Sequence, residues 1–389
     1  MDARRCWLWM LVPAVVLGSM AGAMAQDWPQ WLGVNRDGKP SQFDAPEEWP
    51  AQLTQKWQVA VGAGDASPAV VGAMVYVFSR EGDAEVTTCL NLDDGSLIWQ
   101  DTNAAMAVQG PASSHPGPRS SPAVAEGKVV TLGVTGTVSC LDAATGAVVW
   151  RKAPYPDAYP QFYTASSPLI VNGMAVVQVG AETNGAVVAL DLATGDEQWK
   201  WAGEGPQYAS TTLMTLGESK VLATLTSKSF IGVAAADGRL LWQVPFVPEG
   251  RAYNASTPIV TGDTVIISGA GRGTMAYRVG ADGEAATLTP LWTNAEVAVQ
   301  YNTPVLKDGL LYGLSSEGKL FCLQADTGAT AWVDDNVRSR GFGAVVDAGT
   351  AMLVLADNGE LIAYRPTGDG FSQLATYKVA EGAPTRRRF

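Results

Sequence analysis

Five times the chain places a glycine four residues ahead of a tryptophan: Gly95 and Trp99, Gly146 and Trp150, Gly195 and Trp199, Gly238 and Trp242, Gly328 and Trp332. A stretched copy runs from Gly283 to Trp292, and with Trp57 included the tryptophans recur every 40 to 51 residues. That period suits the blade of a β-propeller and lies at or beyond the upper end of most helical repeats. The local pattern separates the two. The second copy reads PAVAEG, KVVTLGV, TG, TVSCLD, AATG, AVVW, four short β-rich runs divided by glycine-bearing turns, with no 3.6-residue apolar stripe. Glycine in the TG and DG steps supplies the positive φ of a tight turn without a Cβ penalty. Each copy is therefore predicted to be one four-stranded antiparallel sheet, and the chain an all-β propeller.

The copies open at Ser67-Pro68, Ser121-Pro122, Ser167-Pro168, Thr211-Thr212, Thr257-Pro258, Thr303-Pro304 and near Gly343, which counts seven repeats. Proline is tolerated at the start of a strand, where its missing N–H falls outside the ladder, so these openings are predicted to be the innermost strands. Copy five lengthens its last hairpin through GADGEAATLTP, and copy seven brings Tyr377 near the tryptophan slot. The run KWQVAV around Trp57 has the look of an outer strand donated across the ring's seam, yet copy seven has its own last strand, ATYKV. Two closures fit: a seven-bladed ring with one surplus strand, or an eight-bladed type with an incomplete last blade.

The repeats run nearly end to end in a chain of 389 residues, with 47% hydrophobic and 16% charged residues, which suits one folded unit and argues against extended disorder. Arg4 and Arg5, the apolar stretch from Trp7 to Leu17, and the small-residue site Ala23-Met24-Ala25 predict a signal peptide over 1–25 and a mature chain beginning at Gln26. The divisions that follow are a lead at 26–56, a propeller at 57–380 and a basic tail at 381–389 carrying Arg386, Arg387 and Arg388. No later segment is long and apolar enough to span a bilayer. The formal charge of −12, or −13 once Asp2, Arg4 and Arg5 leave with the signal, disfavours nucleic acid and anionic lipid as partners.

Cys89, Cys140 and Cys322 each lie six residues before a turn glycine, at one repeat position in three copies. Equivalent positions in separate blades do not meet in a disulfide, so they are expected to be small residues packing strand on strand. Asp93, Asp94, Asp142, Asp191, Asp237 and Asp326 recur once per blade and are expected to cap their own turns, not to hold a metal. His115 is the only histidine and lacks a nucleophile and an orienting carboxylate in any recognisable pattern; no catalytic residue is assigned.

Just before the inner strands the sequence repeats PRSSP, FYTASSP, QYASTT, AYNASTP and QYNTP. Tyr163, Tyr208, Tyr253 and Tyr301 thus share a repeat position that Arg119 takes in copy two, and Arg340 with Phe342 in copy seven. Equivalent positions lie on one circle around the channel mouth. With Asn254, Asn302, Gln161 and Gln207 they could stack on and hydrogen-bond a peptide or another polar ligand, or instead wedge the blades apart and bond backbone. Trp99, Trp150, Trp199, Trp242, Trp292 and Trp332 are expected to be structural, filling the gap to the neighbouring sheet.

The pattern S/T-P-x-V…G-x-V…L-D-x-x-T-G-x-x-x-W, best kept in LDAATGAVVW and LDLATGDEQW, resembles the PQQ-binding-like β-propeller repeat. Quinoprotein alcohol dehydrogenases and the propeller of the outer-membrane β-barrel assembly machinery share that repeat. The lead WPQWLGVNRDG is similar to the opening of many secreted bacterial propellers of the superfamily, and the resemblance covers about 57–379. The dehydrogenases would imply a pyrroloquinoline quinone (PQQ) on the axis, with calcium and a lid of two adjacent, disulfide-bonded cysteines. This chain has no Cys-Cys pair, no C-x-x-C-H and no cysteine after the cleavage site for a lipid anchor. The sequence therefore predicts an exported, periplasmic or extracellular, non-catalytic binding or scaffolding propeller. It would be a monomer without a cofactor, recognising a protein, peptide or cell-envelope component through one face of the ring. The alternative is a PQQ-dependent alcohol dehydrogenase-like enzyme using PQQ with calcium.

Overall fold

The computed structural model describes residues 27–379 apart from 44, 284 and 338. The expected signal peptide and the basic tail lie outside the described residues. Seven four-stranded antiparallel sheets follow one another along the chain, each with its strands in sequence order. They form blades 1 to 7 at 69–104, 123–152, 169–201, 212–245, 259–294, 305–334 and 343–378. The innermost strands are short, Ala69–Val71, Ala123–Ala125, Leu169–Val171, Ile259–Thr261 and Val305–Lys307 among them. A single 3-10 turn, Gly110–Ser114, is the helical element among the described residues.

The repeat signature now has a mechanical account. In blade 2, Asp142 Oδ1 accepts from the Thr145 N–H at 3.0 Å and the Thr145 hydroxyl at 2.8 Å, which folds the turn onto itself. Gly146 follows at φ 73°, and a Cβ there would meet the Trp99 ring at 2.5 Å. Glycine is thus required twice, for backbone and for the neighbour's indole. Trp99 completes the joint by donating its N–H to the Ala143 carbonyl at 3.0 Å. Trp150 bonds Leu192, Trp199 bonds Ala235, Trp292 bonds Ala325 and Trp332 bonds Thr367 in the same way, each reaching the next blade. Trp242 differs: its buried indole N–H has no partner. The hairpin of blade 5 that it faces is the stretched one, Gly273–Asp282 with Ala285–Asn294, and lacks the tight turn.

A β-bulge precedes the tryptophan in each of blades 1 to 6 and sets a small residue directly across from it. The pairs are Cys89 with Trp99, Cys140 with Trp150, Ala189 with Trp199, Gly232 with Trp242, Ala276 with Trp292 and Cys322 with Trp332. The three cysteines are free and buried because that slot admits little beside an indole. In blade 7 the register puts Ala375, not Tyr377, in the tryptophan place. Tyr377 stands two residues on and donates its hydroxyl to the Pro50 carbonyl at 2.8 Å, with Trp49 packed on its ring.

The run around Trp57 is not a strand. Trp57 does dock on blade 1, donating to the Leu92 carbonyl at 2.8 Å beside Gly95, but 52–62 join no sheet and are mostly exposed. The lead thus runs on to residue 68, past the predicted boundary at 56, since blade 7 supplies its own outer strand, Gln373–Lys378. Six apolar cores join consecutive blades from 1/2 to 6/7; among the described residues none joins blade 7 to blade 1. At this seam the lead does the joining.

Candidate functional site

The lead makes hydrogen bonds across the channel. It enters the channel from the side opposite the tyrosines, where Asp27 accepts from the Gly72 N–H at 2.7 Å. Trp28 pairs with Val70 of blade 1, and the Pro29 carbonyl accepts from the Val124 N–H of blade 2. Trp31 donates to the Thr257 hydroxyl of blade 5 at 3.0 Å, and the Gly38 carbonyl accepts from Asp347 of blade 7 at 2.9 Å. Arg36 lies between these ends, 3% exposed. Its guanidinium donates to the carbonyls of Thr211 at 2.6 Å, Ser167 at 3.3 Å and Pro168, and to Gln30 Oε1 at 3.0 Å. Burial lowers its pKa from 12.5 to about 9. The axis is therefore filled by the chain itself. Val34 and Asn35, in the turn before Arg36, are exposed.

Above this plug the Ser/Thr-Pro openings tie the blades together. The hydroxyl of one blade accepts from the backbone N–H of the blade before it: Ser121 from Ser67, Ser167 from Ser121, Ser210 from Ser167 and Thr303 from Thr257, at 2.9 to 3.1 Å. The tyrosines stand one tier further out. Tyr163 is buried, stacked on Tyr159 at 4.5 Å, and its hydroxyl accepts from the Gln109 N–H. The Tyr208 hydroxyl accepts from the Phe162 N–H at 3.1 Å. Tyr208, Tyr253 and Phe162 form a cluster with centroids 5.4 to 6.3 Å apart, and burial raises the Tyr208 phenol. Tyr301, 41% exposed, stacks flat on Phe342 at 4.5 Å. Tyr163 and Tyr208 thus spend their hydroxyls on the preceding blade's loop, while Tyr253, Tyr301 and Phe162 keep ring surface open to solvent.

The polar candidates divide. Asn254 is buried, with its amide donating to the carbonyls of Thr226 and Phe246 and its oxygen accepting from Arg272. Asn302 is buried and bonded both ways to Leu314. Gln207 accepts from the Asn254 N–H. These three are loop clamps, their polar groups consumed by backbone and by one another. Arg340 is an exposed rim group paired with Asp357 at 2.8 Å. Arg119 is the exception. One guanidinium nitrogen donates to the His115 carbonyl at 2.9 Å, while Nη1 is buried without a hydrogen-bond partner. Burial lowers its pKa, against the pull of Asp65, Tyr208 and Tyr163 nearby. His115 Nδ1 lies 3.1 Å from the Asp65 carboxylate. That contact orients its ring.

A quinone on the axis does not fit these residues. Trp31 and Arg36 occupy the place it would need, and no three His, Cys, Asp or Glu side chains converge as metal ligands among the described residues. No helix among them is long and apolar enough to cross a membrane.

A family profile described as outer membrane protein assembly factor BamB matches residues 82–334. BamB of Xanthomonas campestris pv. campestris is 28% identical over 264 residues, which are 64% of this chain and 61% of that protein's length. A quinohemoprotein alcohol dehydrogenase of Pseudomonas putida is 27% identical over 201 residues, 49% of this chain but 27% of its own length. The crystal structure of BamB from Moraxella catarrhalis superposes with a TM-score of 0.61 at 16% identity, covering 81% of this chain and 85% of that one, which shows the shared propeller fold.

Proposed function

Because this chain belongs to the family of outer membrane protein assembly factor BamB, we propose that it is an exported, non-catalytic propeller of the cell envelope that binds a polypeptide in its aromatic mouth. The observation that carries the reading is the filled axis. With Arg36 and Trp31 bonded across the channel, the face that carries Tyr208, Tyr253, Tyr301 and Phe342 offers a wall of clustered aromatic rings. Flat rings with polar tips gain contact area at low entropic cost, which suits an extended peptide. Arg119 sits in this wall with a desolvated N–H to satisfy, so a carboxylate or carbonyl of the peptide would complete it. The assembly role in the relatives' name, and export through the expected signal peptide, are consistent with a polypeptide ligand in the envelope.

The test uses the mature chain and a urea-unfolded outer-membrane β-barrel polypeptide diluted into buffer. Binding is followed by anisotropy, with PQQ and calcium titrated in parallel. Arg119→Ala and Tyr301→Ala should each weaken binding about tenfold, on the order of 1.4 kcal/mol, without lowering Tm by more than a few degrees. Binding untouched by both substitutions, or quinone binding with turnover of an alcohol, would overturn the reading.

A further inference from the structure

At Arg119 the mouth holds hydrogen-bond donors that the fold itself does not use. Arg119 is half-buried; its Nη2 donates to the His115 carbonyl at 2.9 Å, while Nη1 is buried with no hydrogen-bond partner. Among the described residues it has no ion-pair partner, and Asp65, whose charge reaches it, is engaged by His115 Nδ1 at 3.1 Å. A charged donor left unpaired in a desolvated wall costs free energy that an incoming acceptor recovers. The backbone around it is fixed. The Pro118 carbonyl accepts from the Asp65 and Ala66 N–H groups, and the Ser120 hydroxyl donates to the Ser166 carbonyl. The side chain, tied through Nη2, is the part free to turn.

Tyr208 supplies a second donor. Its hydroxyl oxygen accepts from the Phe162 N–H at 3.1 Å, so a lone pair is spent, whereas its own proton meets no acceptor among the described residues. Burial is the largest influence on both groups, raising the Tyr208 phenol and lowering Arg119, and each also feels the other's charge, which makes them neighbours. A phenol held up in this way is protonated at neutral pH and therefore a donor. The Tyr208 loop is pinned as well, with the N–H groups of Tyr208 and Ala209 both donating to the Asn254 carbonyl at 3.0 Å. Beside it lie the half-buried rings of Phe162 and Tyr253, with centroids 5.4 Å apart.

Arg272, on the same side of the ring, is a contrast. Its Nη2 also lacks a partner, but the guanidinium lies 4.0 Å over the Phe246 ring and Nη1 donates to the Phe246 carbonyl and Asn254 Oδ1. Nη2 packs so close to Gly269 that a Cβ there would collide with it. That arginine is enclosed and clamps its own loop.

We propose that Arg119 and the Tyr208 hydroxyl form a carboxylate-binding subsite of the mouth. The guanidinium turns outward to donate to one carboxylate oxygen, the phenol donates to the other, and the adjoining side chain of the ligand rests on Phe162 and Tyr253. The assignment rests on the polypeptide reading of the mouth. A chain's terminal carboxylate and an aspartate or glutamate side chain both supply the chemistry. Two converging donors, one of them charged, favour an anion over an amide carbonyl because charge-assisted bonds are the stronger.

The first probes are N-acetyltyrosine and its amide, followed by saturation-transfer NMR on the mature chain. The acid should bind about tenfold more tightly than the amide. Arg119→Gln should cut that preference to about twofold or less while leaving the amide's binding unchanged. The comparison is between two ligands on one protein, so the wild-type preference decides even where a variant folds poorly. The source is read with a decapeptide carrying one internal aspartate, made with a free or amidated terminus and with aspartate or asparagine, by fluorescence anisotropy. A loss on amidation marks a chain terminus as the ligand and a loss with asparagine marks an acidic side chain; each supports the subsite. Acid and amide bound equally, an acid that does not bind, or a preference that survives Arg119→Gln overturns the proposal. Decapeptides bound equally in all these forms overturn it too, and leave the polypeptide reading standing. A preference for the acid probe with no polypeptide bound sinks that reading and leaves the subsite.

Discussion

Replacing Arg36 by methionine tests whether the plug holds the ring or merely fills it. Moving the guanidinium from water to the axis is costly: a pKa lowered from 12.5 to about 9 corresponds to a burial penalty on the order of 5 kcal/mol. Against that stand hydrogen bonds to four acceptors, the carbonyls of Ser167, Pro168 and Thr211 and the Gln30 side chain. Bonds from a charged donor contribute about 1.5–3 kcal/mol each. The sum outweighs the penalty. Methionine of similar length recovers the burial cost but leaves three backbone carbonyls of blades 3 and 4 without a donor. The expected net loss is about 3 kcal/mol, read as a fall in Tm of roughly 6–12 °C at 2–4 °C per kcal/mol. Arg36→Lys should lose about as much, because one ammonium cannot fork to carbonyls on two blades.

The assay is thermal melting followed by circular dichroism, with amide exchange resolved at 167–169 and 211–213. Local loosening at those segments should accompany the fall in Tm. Arg36→Met with a Tm at or above wild type would refute the reasoning. It would place this site with the buried ions that apolar residues replace at no cost.

Three further outcomes follow from the blades. Trp199→Phe should cost about 1–2 kcal/mol more than Trp242→Phe, since only Trp199 loses an indole hydrogen bond, and chemical denaturation of both variants measures the difference. Gly146→Ala should destabilise by about 3 kcal/mol or more, against about 1 kcal/mol for Gly127→Ala. Both have positive φ, but a Cβ at Gly146 strikes Trp99 whereas Gly127 faces open space. At alkaline pH, burial pushes the Tyr76 phenol up to about 12 and raises those of Tyr312 and Tyr364. Below about pH 10 these phenols are neutral folded or unfolded, so their contribution is complete. Above it the unfolded chain releases protons that the fold retains, and stability falls as pH rises toward 12. The share of the phenolate absorbance at 295 nm that belongs to these three tyrosines should therefore rise late, together with unfolding.

Fold class was legible because each blade repeats its own instructions. The Asp142 turn, the positive-φ Gly146 and the docking Trp150 all act within one repeat or between neighbours, so a local pattern reports them. The cysteine position was legible as small and buried, but its cause, a bulge that sets it opposite the indole, needed the register. The mouth was half legible. Periodicity placed the tyrosines on one circle, yet it could not say that the amides of Asn254 and Asn302 are spent on backbone. The plug's partners were not legible, because WPQWLGVNRDG occurs once and they lie up to 309 residues away, as Asp347 does from Gly38. Its one visible signal was compositional: an arginine and two tryptophans with no period of their own, ahead of the first blade.

The plug and the seam explain each other. A ring with an apolar core at every interface needs no axle, since each sheet is clamped on both faces. Among the described residues blades 7 and 1 share no apolar core, and the lead spans the two. The lead binds the innermost strands of blades 1, 2 and 7 through backbone, and those of blades 3, 4 and 5 through Arg36 and Trp31. It then crosses the seam from Tyr377 to Leu92. One segment thus supplies both an axle and a strap. The closure it provides is made of a few hydrogen bonds and indoles instead of a continuous apolar core.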